Sequence, residues 1–102
     1  MYELIASAAA KDDLEEIKAY LLTEFRNPQA VANLEAAIRR AYDTLAENPN
    51  AFPPCDDPHL QRKGYRKCVL TNYLFVYEVL EDKKLVRIHR FFHRLQYWTS
   101  YL

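Results

Sequence analysis

The spacing of apolar residues changes along the chain, and each change marks an element. Tyr2 to Ala6 is a short apolar run containing Glu3, the pattern of a strand. Ser7 then precedes an alanine-rich stretch in which Ala10, Leu14, Ile17, Leu21 and Phe25 recur at helical spacing. The Ser7 hydroxyl is placed to cap that helix, and acids crowd its first turns (Asp12, Asp13, Glu15, Glu16), where the helix dipole favours them. Asn27-Pro28 ends it and begins a second helix, because the first helical position needs no N–H. There Val31, Leu34, Ile38, Ala41 and Leu45 form the apolar stripe, and Asn48-Pro49 closes it. Two amphipathic helices joined this tightly lie nearly antiparallel with their stripes turned the same way, so a third surface must cover them.

That surface is a sheet. Residues 49–63 hold four prolines and read as a loop, with Asp56-Asp57-Pro58 as a turn. Tyr65 to Leu70 reads as a strand, Thr71-Asn72 as a tight turn, and Tyr73 to Leu80 as a strand apolar on both faces except at Glu78, hence central. Glu81 to Lys84 is a charged hairpin turn, and Leu85 to Phe92 is the next strand. Simple alternation there groups Val86, Ile88 and Arg90 on one face and Leu85, Arg87, His89 and Phe91 on the other. Arg94 to Leu102 is short and aromatic and predicts a last helical turn or two. The fold class is therefore α+β. The order is β-α-α-β-β-β, with a helical hairpin on one face of a mostly antiparallel four-stranded sheet and residues 1–102 forming one domain.

Composition narrows the chemistry. A single glycine, Gly64, excludes glycine-rich phosphate cradles. No apolar run is long enough to span a membrane, and Met1-Tyr2-Glu3-Leu4 lacks a signal-peptide pattern, so the chain reads as cytoplasmic with Cys55 and Cys68 as reduced thiols. The formal net charge is 0, yet residues 1–58 carry eleven acids against five bases, and residues 59–102 nine bases against three acids. The second half therefore sums to +6 and suggests an anionic partner.

Candidate chemistry lies in that basic half, on the sheet face the helices leave open. Arg66, Lys67, Arg87, Arg90 and Arg94 are placed to hold phosphates, and His89 or His93 to move a proton. Metal-free RNA cleavage needs only such a set: a base for the 2′-hydroxyl, an acid for the leaving oxygen and cations on the phosphate. His89 and His93 are four apart, but a strand surrounds His89 and no third ligand is near, so no metal or other cofactor is expected. The paired acids Glu15-Glu16 and Asp56-Asp57 read as a solvated helix start and a turn.

Four segments together resemble the RelE/ParE superfamily of bacterial type II toxins: Ser7 to Ile17, Leu45 to Pro49, Gly64 to Lys67 with Asn72 to Tyr77, and Val86 to Arg94. The resemblance implies a growth inhibitor held in check by a cognate antitoxin, in a toxin–antitoxin hetero-oligomer. RelE-like members resemble ribosome-dependent mRNA endonucleases; ParE-like members resemble non-catalytic inhibitors of DNA gyrase. RelE-like nucleases usually carry an Arg after the Tyr of the central hairpin, where this chain has Leu74 after Tyr73. His93 falls near a C-terminal His of the YoeB branch, but Arg94 stands where that branch has Tyr. A nuclease would use His93 and Arg94 as its catalytic pair, with Arg66, Lys67, Arg87 and Arg90 on phosphate or target. The Arg90/His93 spacing favours the ParE-like reading. A decayed toxin that only binds antitoxin is the third. The antitoxin itself is expected to be acidic and amphipathic and to fold on binding.

Overall fold

The computed structural model describes all 102 residues. Its elements are β1 (Glu3–Ala6), α1 (Ala8–Thr23), α2 (Pro28–Glu47), α3 (Pro58–Arg62), β2 (Arg66–Leu70), β3 (Tyr73–Leu80) and β4 (Leu85–His93), with 3₁₀ turns at Glu81–Lys83 and Trp98–Tyr101. The sheet order is β1-β4-β3-β2. β2, β3 and β4 form an antiparallel meander, and β1 joins β4 in parallel, Leu4 opposite Val86. No helix is long and apolar enough to cross a membrane.

Local chemistry sets the boundaries. The Ser7 Oγ accepts the Ala10 N–H at 3.0 Å and donates to the His89 carbonyl at 2.7 Å, so the α1 cap is also a tie to β4. The Asn27 Oδ1 accepts the Ala30 N–H at 3.0 Å, with Pro28 at the first helical position. Two expectations for α1 need correction. Its first turn holds no acid, since the acids begin at Asp12, beyond the reach of the dipole. The helix stops at Thr23, so Phe25 falls outside the apolar stripe, exposed and edge-on to Tyr20 at 5.1 Å. The expected loop at 49–63 also contains a helix. Asp57 caps α3 by accepting the His59 and Leu60 N–H groups at 2.9 and 3.2 Å, with Pro58 first in the helix, the same device as Asn27-Pro28.

The main core lies between the helices and the sheet. Ala10, Leu34, Ile38, Ala41 and Leu45 meet Cys68, Leu70, Phe75, Tyr77, Val86, Ile88 and Phe91. Tyr77 is fully buried and satisfies its hydroxyl by donating to the Pro49 carbonyl at 3.0 Å. A Lys18–Glu35 ion pair at 3.0 Å spans α1 and α2.

The other face of the sheet is only partly open, contrary to expectation. Cys55 and Leu60 from the 53–62 segment pack on Leu74, Val76 and Phe92, with Tyr65, Trp98 and Leu102 at the margin. The physical reason is the apolar outer row of β3 and β4, which water would otherwise meet and which α3 and the C-terminal turn cover.

Alternation also fails in β4. Tyr77 pairs with Ile88 but Val76 pairs with Arg90, so His89 is the extra residue of a β-bulge. After it, Phe91 rather than Arg90 continues the buried row of Val86 and Ile88, and Phe92 turns to the second core.

Two outcomes follow for stability. Ser7→Ala removes both hydroxyl contacts and should lower the unfolding free energy by about 1–2 kcal/mol, read from the urea midpoint. Burial pushes the Cys68 thiol from 9.0 up to about 11 and the Tyr77 phenol from 10.0 up to about 12. Folded-state values raised in this sense favour the neutral forms. Their contribution is complete below about pH 9 and is lost as pH rises through 9 to 12, so urea stability should hold near pH 8 and fall steeply above 10.

Candidate functional site

The largest cleft, about 410 Å³, opens between α1, the paired ends of β3 and β4, and the C-terminal turn. Ile17, Tyr20, Tyr73, Phe92 and Tyr101 give it aromatic and apolar walls, and Asp13, Glu16, Arg90, His93 and Gln96 its polar groups.

Arg90 is the centre of its chemistry. Its Nε and Nη2 donate to the two carboxylate oxygens of Asp13 at 2.6 and 2.9 Å, and the same carboxylate accepts the Phe91 N–H at 3.0 Å. Both side chains are largely shielded, 29% and 13% exposed. The guanidinium pKa is raised further by the Asp13 hydrogen bonds, with burial working the other way. Its plane lies over Phe92 and Tyr101, 5.4 and 5.9 Å from their centroids. A fork already closed on an internal carboxylate offers a phosphate little.

His93 lines the same cleft, edge-on to Tyr73 at 5.3 Å. Its Nδ1 accepts the Leu95 N–H at 3.1 Å, which places the neutral ring's proton on Nε2. Neither nitrogen then presents a free lone pair to a substrate hydroxyl. Arg94 points away and donates to the Thr71 carbonyl at 3.0 Å.

The remaining predicted cations are dispersed. Alternation along β2 separates Arg66 from Lys67: Arg66 Nη1 donates to the Phe52 carbonyl at 2.8 Å, while Lys67 reaches Asp56 at 3.5 Å and lies over Trp98. Arg87 sits farther back along β4, 3.5 Å from Glu78. The expected gathering of cations on one open face is therefore corrected: bulge, alternation and internal carboxylates spread them over three regions. Asp13 is the residue sequence reasoning misread. Its partner is 77 positions away, and no local pattern distinguishes it from the other acids of α1.

A second cluster forms on the sheet face beyond the small core. His89 Nε2 lies 2.9 Å from Glu78 Oε1, Arg87 approaches the same oxygen, and the Tyr65 ring lies 4.7 Å from the imidazole.

Comparison with known proteins gives a consistent picture. Residues 4–98 match the family model described as the ParE toxin of the type II toxin–antitoxin system parDE. No curated protein sequence matches. Among solved structures, the chain resembles one in the RelBE2 toxin–antitoxin complex of Mycobacterium tuberculosis, with a TM-score of 0.64, 20% identity and coverage of 91% of this chain and 98% of that one. It resembles one in the chromosomal ParDE system of P. aeruginosa equally, at 0.64 and 21%, covering 91% and 96%. The isolated E. coli RelE toxin follows at 0.59 and 16%, covering 99% and 93%.

The Asp13–Arg90 fork should behave as one unit. A double-mutant cycle of Asp13→Asn and Arg90→Gln, read by urea unfolding, should give a coupling energy of about 1.5–3 kcal/mol. A value below about 0.5 kcal/mol would reduce it to an ordinary surface pair.

Proposed function

This chain belongs to the ParE toxin family of type II toxin–antitoxin systems, and on that premise we propose that it arrests growth by binding DNA gyrase rather than by cutting RNA. The observation that carries this reading is the engagement of the groups a nuclease would need free. Arg90 is forked onto Asp13, Arg94 onto a backbone carbonyl, and the Nδ1 of His93 is held by the Leu95 N–H. General-base catalysis requires an available lone pair and a cation directed at the phosphate. A binding inhibitor requires neither, only a surface held in one shape.

On this reading a cognate antitoxin restrains the protein. Two of the structural neighbours are chains of toxin–antitoxin complexes, which supports such a partner here. The target-binding surface we assign is the aromatic cleft and the adjoining tip of the helical hairpin, where Tyr20 and Phe25 stand exposed.

The decisive experiment compares two readouts with the purified protein. Gyrase-driven supercoiling of a relaxed plasmid should be blocked at concentrations that leave ribosome-bound message intact. Arg94→Ala, which lies outside the cleft, should keep that inhibition, whereas His93→Ala, which alters the cleft wall, should weaken it. Message cleavage that disappears in both variants would assign the nuclease role instead, and overexpression without any growth defect would mark a toxin reduced to antitoxin binding.

A further inference from the structure

The cluster around His89 lies outside the cleft, and the proposed gyrase inhibition makes no use of it. Its carboxylate is Glu78, on β3; its cations are Arg87 and His89, flanking the first residue of the bulge on β4. An ionised carboxylate can only accept, so the short contact to Glu78 places a proton on His89 Nε2 and leaves Nδ1 as the second site of the ring. No group in the protein bonds to that Nδ1, yet every buried side-chain nitrogen or oxygen has a partner. The Nδ1 is therefore not fully buried, in a side chain that is 19% exposed. Arg87 is 43% exposed, with a single long contact of 3.5 Å to Glu78, so most of its donors are also unused.

We propose that Arg87 and His89 form a docking point for a carboxylate on an acidic partner segment, and that docking draws a proton onto His89. In the neutral ring the Nδ1 lone pair faces an arriving carboxylate and repels it. In the protonated ring Nε2–H stays on Glu78 while Nδ1–H donates to the newcomer, and the imidazolium bridges two carboxylates. Arg87 supplies a planar donor edge beside it. Complex formation and protonation then reinforce each other, as linkage requires.

The surroundings support one carboxylate at this point and disfavour a nucleic acid. The groups facing His89 are Glu78 from β3, Arg87 from its own strand and the Tyr65 phenol ahead of β2; Ser7 holds only its backbone carbonyl. Beyond Tyr65, Lys63 lies over that ring but is committed to the Leu102 carbonyl at 2.8 Å. Lys67 lies on the small-core side, over the Trp98 ring and 3.5 Å from Asp56. A nucleic acid derives its affinity from several neutralised phosphates, and the two cationic groups gathered on Glu78 are too few to supply it. The acidic segment in the cell is the antitoxin if the toxin reading holds; the site itself is independent of gyrase.

The test uses a labelled, end-blocked dodecaglutamate peptide and the full-length protein, with fluorescence anisotropy at pH 6 and pH 8 and oligouridylate as competitor. Binding should be about three- to tenfold tighter at pH 6, since one linked proton allows up to tenfold per pH unit. Arg87→Gln should lose most of the affinity at both pH values. His89→Gln, which keeps a neutral donor towards Glu78, should lose the pH dependence and bind at the weak pH 8 level. Arg40→Gln, which removes a cation from α2, should change neither. Thermal melts confirm that each variant is folded. No peptide binding at pH 6, the same pH response in His89→Gln, or tighter binding of oligouridylate at the same residues would each overturn the proposal. Gyrase inhibition is read separately by supercoiling, so its failure leaves this result standing and the reverse holds too.

Discussion

A β-bulge frees backbone groups, and in this protein helix α1 captures them. The extra residue at His89 shifts β4 by one position against β3, which would strand a carbonyl and an N–H beside a packed core. Ser7 takes the His89 carbonyl, and Asp13, almost two turns later, takes the Phe91 N–H together with the Arg90 fork. Two side chains of one helix thus grip both sides of the irregularity. This grip determines which residues reach the core: it delivers Phe91 to the helices, Phe92 to the opposite face and Arg90 to the cleft. Without it, regular pairing would place the Arg90 guanidinium in the buried row of Val86 and Ile88, where an unpaired charge is severely unfavourable.

The second small core has a different origin and a related effect. Leu74, Val76 and Phe92 form an apolar row on the side of the sheet away from the hairpin, and α3 and the C-terminal turn close over it. Covering this end of the sheet restricts open, polar sheet surface to the other end, around Tyr65, Glu78, Arg87 and His89. The aromatic cleft lies at the first end and the carboxylate–imidazole cluster at the second. They share β4 but no side chain, so the same strand can present two surfaces of unlike chemistry.

What was legible in the sequence and what was not divides along the range of the interactions. Both long helices, their caps at Ser7 and Asn27 and the meander were readable because periodicity and capping act within a few residues. The helix α3 was missed although its Asp57-Pro58 start repeats the Asn27-Pro28 device; five residues are too few to show a period, and the surrounding prolines dominated the pattern. The bulge could not be seen, because alternation through Val86, Ile88 and Arg90 is locally faultless. Only Asp13, far away in sequence, makes the shifted register the better one. The candidate cations of β2 and β4 were correctly located on strands, but the bulge, strand alternation and internal carboxylates keep them apart.

The charge split between the halves of the chain shows how a formal count differs from a usable field. The second half sums to +6, yet Lys67 and Arg90 are turned onto carboxylates of the first half, and Arg66 and Arg94 onto backbone carbonyls. Two of the nine cations are thus neutralised by carboxylates of the first half, and two more are held in place by carbonyls, so the field a partner meets is smaller and less uniform than the count. Glu78 alone is shared by two cationic groups of the same half, and sharing leaves donors over. An excess of donors around one carboxylate, rather than the total of lysines and arginines, is what distinguishes a place that can accept a second carboxylate from one whose charge is already satisfied.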